Sequence, residues 1–232
     1  VSRFRNRIIF PVKGLNGSVI AFGGRVISKT SFAKYINSPE TEFYKKGNNL
    51  FNIDSAKKFA NENDEVFIVE GYMDVISLHK FGIKNVAANL GTAMTEKQID
   101  LISRFYKNLI ICLDGDESGQ KAAVRAAERL LPLVRSDFNI FFLTLPKDID
   151  PDNFVHEKGK DSFLNFSKNK KEIHNFIWDS YLNETDKKSP QSLALFEKKL
   201  KEICNQIKDK TIRKYFLEYF LKWFDEFTPT LT

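Results

Sequence analysis

Two cysteines in 232 residues, Cys112 and Cys204, are too few for a disulfide framework or a cysteine-built zinc site. They fit a reducing, cytoplasmic setting, with Cys112 a small core residue inside an apolar run. The three histidines, His79, His156 and His174, have no metal-ligand spacing. No apolar run approaches the roughly 20 residues of a membrane-spanning helix, and the N-terminus has no signal-peptide pattern, so no membrane partner is expected. Neither a Gly-x-x-x-x-Gly-Lys loop nor a Gly-x-Ser-x-Gly elbow occurs, which excludes P-loop hydrolysis and a serine nucleophile of the elbow type. Internal repeats and low-complexity tracts are also missing. What remains is a globular composition, 42% hydrophobic and 28% charged, able to bury a core in one large domain or two to three small ones.

The charge is unevenly placed. Residues 1–49 carry nine Lys or Arg against Glu40 and Glu42, a net of +7 in a chain whose total is +6. The other four-fifths is therefore nearly neutral. A basic segment of this kind reads as a polyanion-binding surface or, in the bland alternative, as solubilising charge.

Short strands are expected at 8–12 and 19–22 with the Asn16-Gly17 turn between them. Residues 34–41 are polar, contain Pro39 and read as a loop; 50–60 reads as helical. From 64 to 146 strands alternate with helices: strands at 66–69, 85–88, 109–113 and 138–145, helices at 75–80, 95–106 and 119–134. Thr95 is the expected N-cap of its helix. Alternation of this kind predicts an α/β fold with a mostly parallel sheet flanked by helices, and sites at the carboxyl ends of the strands. Beyond 161 the pattern turns helical, over 163–183, 191–208 and 211–227. Tyr215, Phe216, Tyr219, Phe220, Trp223, Phe224 and Phe227 make one wide face, read first as core and second as a docking surface. The expected domains are a small basic α+β part at 1–60, an α/β part at 61–158 and a helical part at 159–232.

Carboxylates collect where the strands end. Phe67-Ile68-Val69 runs into Glu70-Gly71-Tyr72-Met73-Asp74, and Leu109-Ile110-Ile111-Cys112-Leu113 runs into Asp114-Gly115-Asp116. Asp150-Pro151-Asp152 follows the last strand. A glutamate at the tip of a buried strand invites a cation. Hard oxygen donors of this kind suit Mg²⁺, which keeps waters and bridges to substrate phosphates. The bland alternative is helix capping, above all for Asp116. On the basic side, Gly23-Gly24-Arg25, Lys34-Tyr35-Ile36-Asn37 and Lys45-Lys46-Gly47 place donors at backbone bends, suited to phosphates. Arg3, Phe4, Arg5 and Arg7 interleave charge with an aromatic, as single-strand binding surfaces do, although burial of Phe4 explains it equally well.

These stretches resemble, in order and spacing, the RNA-polymerase core of bacterial DnaG-type DNA primases. The resemblance runs from Arg3 to about Lys160. It is carried by Arg3-Phe4-Arg5-x-Arg7-x-x-Phe10-Pro11, Phe22-Gly23-Gly24-Arg25, Lys34-Tyr35-x-Asn37-Ser38-Pro39-Glu40-Thr41, Lys46-Gly47, Glu70-Gly71-Tyr72-Met73-Asp74, Gly91-Thr92, Asp114-Gly115-Asp116 and Asp150-Pro151-Asp152. Glu…Asp-x-Asp alone marks only a TOPRIM domain; the 34–41 stretch and Glu-Gly-Tyr-Met-Asp are more particular to primases. Ser2 stands where the family usually has an acid.

The resemblance implies template-directed synthesis of short RNA primers on single-stranded DNA from ribonucleoside triphosphates, a metal-dependent nucleotidyl transfer. It implies Mg²⁺ or Mn²⁺ at Glu70, Asp74, Asp114, Asp116, Asp150 and Asp152, with Glu70, Asp114 and Asp116 the catalytic acids. Arg25, Lys34, Tyr35, Asn37 and Lys46, with Arg5 and Arg7, would handle nucleotide phosphates and the template. The family's zinc ribbon, the rest of its basic subdomain and its helicase-binding domain have no counterpart here, so the chain is expected to be a fragment without zinc. A replicative helicase would then be met through a domain outside it. A TOPRIM nuclease or topoisomerase is the alternative enzyme; a non-catalytic nucleic-acid-binding module is the alternative of another class.

Overall fold

The computed structural model describes residues 3–27, 33–62, 64–91 and 93–228. Its elements, in chain order, begin with β1 (Arg7–Lys13), β2 (Val19–Val26) and β3 (Tyr35–Asn37). There follow α1 (Ile53–Ala56), β4 (Glu65–Val69), α2 (Tyr72–Lys80), β5 (Val86–Ala88) and α3 (Glu96–Ser103). Then come β6 (Asn108–Leu113), α4 (Glu117–Leu130), β7 (Asn139–Thr144), α5 (Pro151–Phe166) and β8 (Lys171–Glu172). Three helices close the chain: α6 (Ile173–Asn183), α7 (Pro190–Asn205) and α8 (Lys210–Phe227). The chain forms two compact units, Val1–Tyr106 with Pro151–Leu164, and Lys107–Asp150 with Asn165–Thr232. They divide it along lines other than the three expected segments.

In the first unit β1, β2 and β3 form an antiparallel sheet in that order. The β1–β2 turn is the expected one: Gly17 takes φ +83, and Asn16 Oδ1 accepts from the Ser18 N–H. Inward residues Phe10, Val12 and Ala21 are buried. The loop expected at 34–41 is in part strand, because Tyr35–Asn37 finds a ladder on β2 opposite Gly23, Gly24 and Arg25. The proline that argued for a loop lies beyond the paired residues. β4 pairs in parallel with β5, and Val66–Val69 are all buried. Phe154 and Phe163 of α5 pack edge-on to each other, and Phe163 packs likewise on Phe67, with centroids 5.6 and 5.4 Å apart. Helix α1 is a single turn continued by a 3₁₀ turn at Lys57–Phe59, shorter than the helical pattern suggested.

In the second unit β6 pairs in parallel with β7, and β7 pairs antiparallel with β8. Helix α4 carries the expected Ala/Leu face, burying Ala123, Ala127 and Leu130. The run expected as one helix over 163–183 is broken: α5 starts at Pro151, a residue whose fixed φ suits the first helical turn. The backbone then passes through β8 before α6 begins. Trp178 of α6 lies within 5.0–6.5 Å, ring to ring, of Phe196, Phe220, Trp223 and Phe227. Core packing therefore accounts for much of the aromatic face of α8, with Phe220 fully buried, whereas Tyr215 and Tyr219 are more than half exposed. The α/β class read from the sequence is the observed one, with parallel strand pairs flanked by helices after a small antiparallel sheet and before a helical end. No helix among the described residues is long and apolar enough to cross a membrane.

Candidate functional site

Strand β3 carries Tyr35 and Asn37 on one face, since alternate residues of a strand share a face. Its partners on β2 are Arg25, opposite Tyr35, and Gly23, opposite Asn37. The Arg25 guanidinium lies 5.8 Å and the Lys34 ammonium 5.9 Å from the centre of the Tyr35 ring, so two cations lie against one aromatic ring. Behind them stands Tyr72, the first residue of α2 and only 3% exposed. Its ring stacks on Phe10 at 4.6 Å, meets Phe51 edge-on at 4.8 Å and tilts against Tyr35 at 6.2 Å. Its hydroxyl donates to Asn37 Oδ1 at 2.7 Å. Gly23 makes this approach possible: a Cβ there would sit 2.2 Å from the Tyr72 hydroxyl oxygen.

The N-terminal arginines have distinct placements. Arg7 donates to the backbone carbonyls of Gly24, Ala33 and Lys34, which ties down the chain on either side of the Arg25–Tyr35 pair. Arg3 donates to the Asn37 carbonyl. Arg5 is exposed. Phe4 is half-buried, edge-on to Phe22 and against Gly24, so packing explains it without a stacked base.

Three acids belong to the same unit. Asp74, 8% exposed, is the third residue of α2 and accepts from the Gly71 N–H at 3.0 Å, an N-terminal cap. Asp152, in the first turn of α5, accepts from the buried Ser77 hydroxyl at 2.5 Å and lies 3.1 Å from His156 Nδ1. Both carboxylates reach Tyr35 electrostatically: burial raises its phenol pKa most, Asp74 and Asp152 raise it further, and Arg25 opposes them. Glu70 is exposed at the end of buried β4, so the premise of a glutamate buried at a strand tip does not hold.

Lys46 lies in a separate network of this unit. Its segment makes a 3₁₀ turn, Lys46–Asn48, gripped by the start of α3. Gln98 is completely buried; its side-chain NH₂ donates to the carbonyls of Lys46 and Asn49 and to Asn89 Oδ1 at 2.8–3.1 Å. Its Oε1 accepts from the Thr95 N–H, closing a capping box in which Thr95 is the N-cap expected from the sequence. Thr95 also donates to the Gly47 carbonyl. The Lys46 N–H donates to Glu40 Oε1. Gly91 has φ +70, and Thr92 lies outside the described residues.

The second unit holds Asp114, Asp116 and Asp150. The Gly115 N–H donates to the Ile149 carbonyl at 3.0 Å, and a Cβ on Gly115 would stand 1.8 Å from the Pro146 carbonyl oxygen. The Asp114–Asp116 loop is thus closed against the segment that ends in Asp150, and only glycine permits it. Asp116 is the N-cap of α4, accepting from the Gly119 N–H at 2.6 Å. The capping role weighed as the bland reading is therefore present for both Asp74 and Asp116. Among the described residues, no three His, Cys, Asp or Glu side chains are gathered closely enough to enclose a metal ion. The donors themselves are hard carboxylate oxygens, the kind that hold Mg²⁺ one or two at a time alongside water and substrate phosphate.

Sequence reasoning missed Gln98 and Ser77, and it quoted Tyr72 without a role. Thr95-x-x-Gln98 is a legible capping-box pattern. The reach of the Gln98 amide to a turn 52 residues upstream, and of Ser77 to Asp152, has no local signature.

Comparison with known proteins points one way. A family described as "DNA primase catalytic core, N-terminal domain" matches residues 1–57, and a Toprim-like family matches 67–155. A DNA primase of Legionella pneumophila is 41% identical over 188 residues, 81% of this chain and 33% of that protein. The chain thus spans about a third of the length of the curated relatives it matches. The crystal structure of a DNA primase domain from Pseudomonas aeruginosa superposes with a TM-score of 0.89 at 34% identity, over 99% of this chain and 70% of that one. A DnaG primase catalytic domain solved bound to single-stranded DNA gives a TM-score of 0.83 at 36% identity, over 92% of this chain and 67% of its own.

Proposed function

This chain belongs to the family of bacterial DnaG-type DNA primases, and on that premise we propose that it is the part of a primase that builds short RNA primers on single-stranded DNA. The observation that carries the reading is the Tyr35–Asn37 strand, where Arg25, Lys34, Tyr35 and Asn37 stand together in one unit with Asp74 and Asp152. Cations and amide donors beside carboxylates suit a substrate that is itself a polyanion handled with a divalent cation. No observation favours the nuclease or topoisomerase alternative.

Arg25 and Lys34 neutralise phosphate charge, Arg by its planar fork and Lys as a point charge. Asn37 supplies neutral donors, and Lys46 adds a second cationic point on its braced turn. Glu70, Asp74 and Asp152 of the first unit, and Asp114, Asp116 and Asp150 of the second, are assigned as the metal-holding acids by their places in the family's motifs. Magnesium or manganese, when bound, would supply activation of a ribose 3′-hydroxyl and neutralisation of the triphosphate. Glu70 serves as one of the holding acids or as acceptor of the hydroxyl proton. Template and ribonucleoside triphosphate are thereby brought together in line, so catalysis is mainly positioning and charge neutralisation.

The test is primer synthesis on a single-stranded DNA template by the full-length protein and its Asp114→Asn/Asp116→Asn variant. The expected loss is on the order of 100-fold or more. Unchanged synthesis by the double variant sinks the assignment.

A further inference from the structure

Asn37 is placed to bind phosphate only if its amide faces the right way, and a side-chain amide has two faces of opposite polarity. Left alone it can present either its carbonyl oxygen, which repels an anion, or its NH₂, which attracts one. The neighbour that decides between them is Tyr72. Its hydroxyl donates to Asn37 Oδ1 at 2.7 Å, which commits the carbonyl end of the amide to the protein and leaves the NH₂ end as the donor.

Tyr72 is itself unable to yield. Its ring is stacked on Phe10, held edge-on by Phe51 and backed on Gly23, with 3% of its surface exposed. Strand pairing limits the remaining freedom, because Asn37 lies opposite Gly23 on β2 and its backbone carbonyl is taken by Arg3.

We infer that Tyr72 is a positioning residue: its buried hydroxyl orients the Asn37 amide so that the NH₂ group meets a phosphate oxygen. This rests on the reading of the β3 face as a primase phosphate-binding surface. The phosphate has two possible sources, the DNA backbone and the ribonucleoside triphosphate, and the same donor serves either.

The experiment compares wild type, Tyr72→Phe, Asn37→Ala, Asn37→Asp and the Tyr72→Phe/Asn37→Ala double variant in the full-length protein. Tyr72→Phe removes one oxygen and keeps the ring that fills the core. One arm measures binding of a fluorescein-labelled single-stranded oligo(dT) by anisotropy; the other measures KM and kcat for ATP in primer synthesis. Thermal melting accompanies both. Losing the orienting bond is expected to weaken one arm about 2- to 10-fold, the range of a single hydrogen bond. The KM or Kd rises while kcat changes little. Asn37→Ala should match it, and the double variant should be no worse than either single, since both remove the same donor. Asn37→Asp, which keeps the acceptor for Tyr72 and deletes the donors, should be at least as weak as Asn37→Ala.

Weakening confined to the oligo(dT) arm assigns the DNA backbone, and weakening confined to the ATP arm assigns the triphosphate; either supports the inference. Tyr72→Phe binding like wild type while Asn37→Ala binds weakly overturns it, as does full additivity in the double variant. A loss in kcat alone also overturns it. Arg25→Ala and Lys34→Ala separate this failure from that of the parent reading. If they too leave both arms unchanged, the β3 face is not a phosphate surface and both readings fall; if they weaken binding and Tyr72→Phe does not, only the positioning role falls.

Discussion

Gln98→Glu is the most informative single change, because it alters one atom of a side chain with no exposed surface. The new Oε still accepts from the Thr95 N–H. The other terminal atom, formerly an NH₂ donating to Lys46 O, Asn49 O and Asn89 Oδ1, becomes an oxygen facing three oxygens. Ionised, it would be a buried charge against acceptors; the cheaper response is to stay protonated. Holding a glutamic acid neutral at pH 7, from an unfolded pKa near 4.3, costs about 3.7 kcal/mol at roughly 1.4 kcal/mol per pH unit. The protonated acid makes one of the lost hydrogen bonds, and the others add about 1 kcal/mol. The total is about 5 kcal/mol at pH 7. The sign follows from a folded pKa raised above the unfolded one: the protonation part is absent below about pH 4.3 and grows as pH rises. At pH 5 it has fallen to about 1 kcal/mol. Urea unfolding of wild type and variant, followed by circular dichroism at pH 5 and pH 7, should therefore show a stability gap that narrows by roughly 2.7 kcal/mol at the lower pH. A gap equal at both pH values, or no gap at pH 7, refutes the role given to Gln98.

Gly115→Ala drives a Cβ to 1.8 Å from the Pro146 carbonyl, a backbone atom that cannot rotate away, and should cost about 3 kcal/mol or more in a thermal or chemical melt. Asp116→Ala deletes the α4 cap and should cost about 1 kcal/mol, whereas Asp116→Asn keeps an oxygen for the Gly119 N–H and should melt like wild type. That contrast separates a capping role from a chemical one, since the primase reading has both variants lose primer synthesis. Cys204, its thiol pKa pushed up to about 12 by burial, and buried Cys112 should not react with a thiol reagent at pH 8 until urea is added. Fast labelling of the folded protein at either would show that the core opens readily.

Periodicity and punctuation by themselves determined the class of fold and most of its elements. Strands β4 and β6 are continuous apolar runs with a carboxylate after them, the Asn16-Gly17 turn accepts the positive φ it needs, and Thr95 caps where its hydroxyl meets an orphan N–H. These are local effects, so local sequence carries them. The basic excess of residues 1–49 and the strand-end acids marked the candidate residues for the same reason: composition and spacing are one-dimensional. Only the tertiary structure decided that Tyr35–Asn37 is a strand, because what makes it one is its ladder on Gly23–Arg25 of β2, and three residues carry no strand pattern of their own. It alone showed Glu70 exposed and Asp74 enclosed, since burial depends on what packs over a residue and not on its neighbours in the chain. Ser77 against Asp152, Gln98 against the Lys46 turn and Tyr72 against Asn37 are side-chain hydrogen bonds across 35 to 75 residues. Such pairs arise from the meeting of two elements, and neither partner carries a mark of the other.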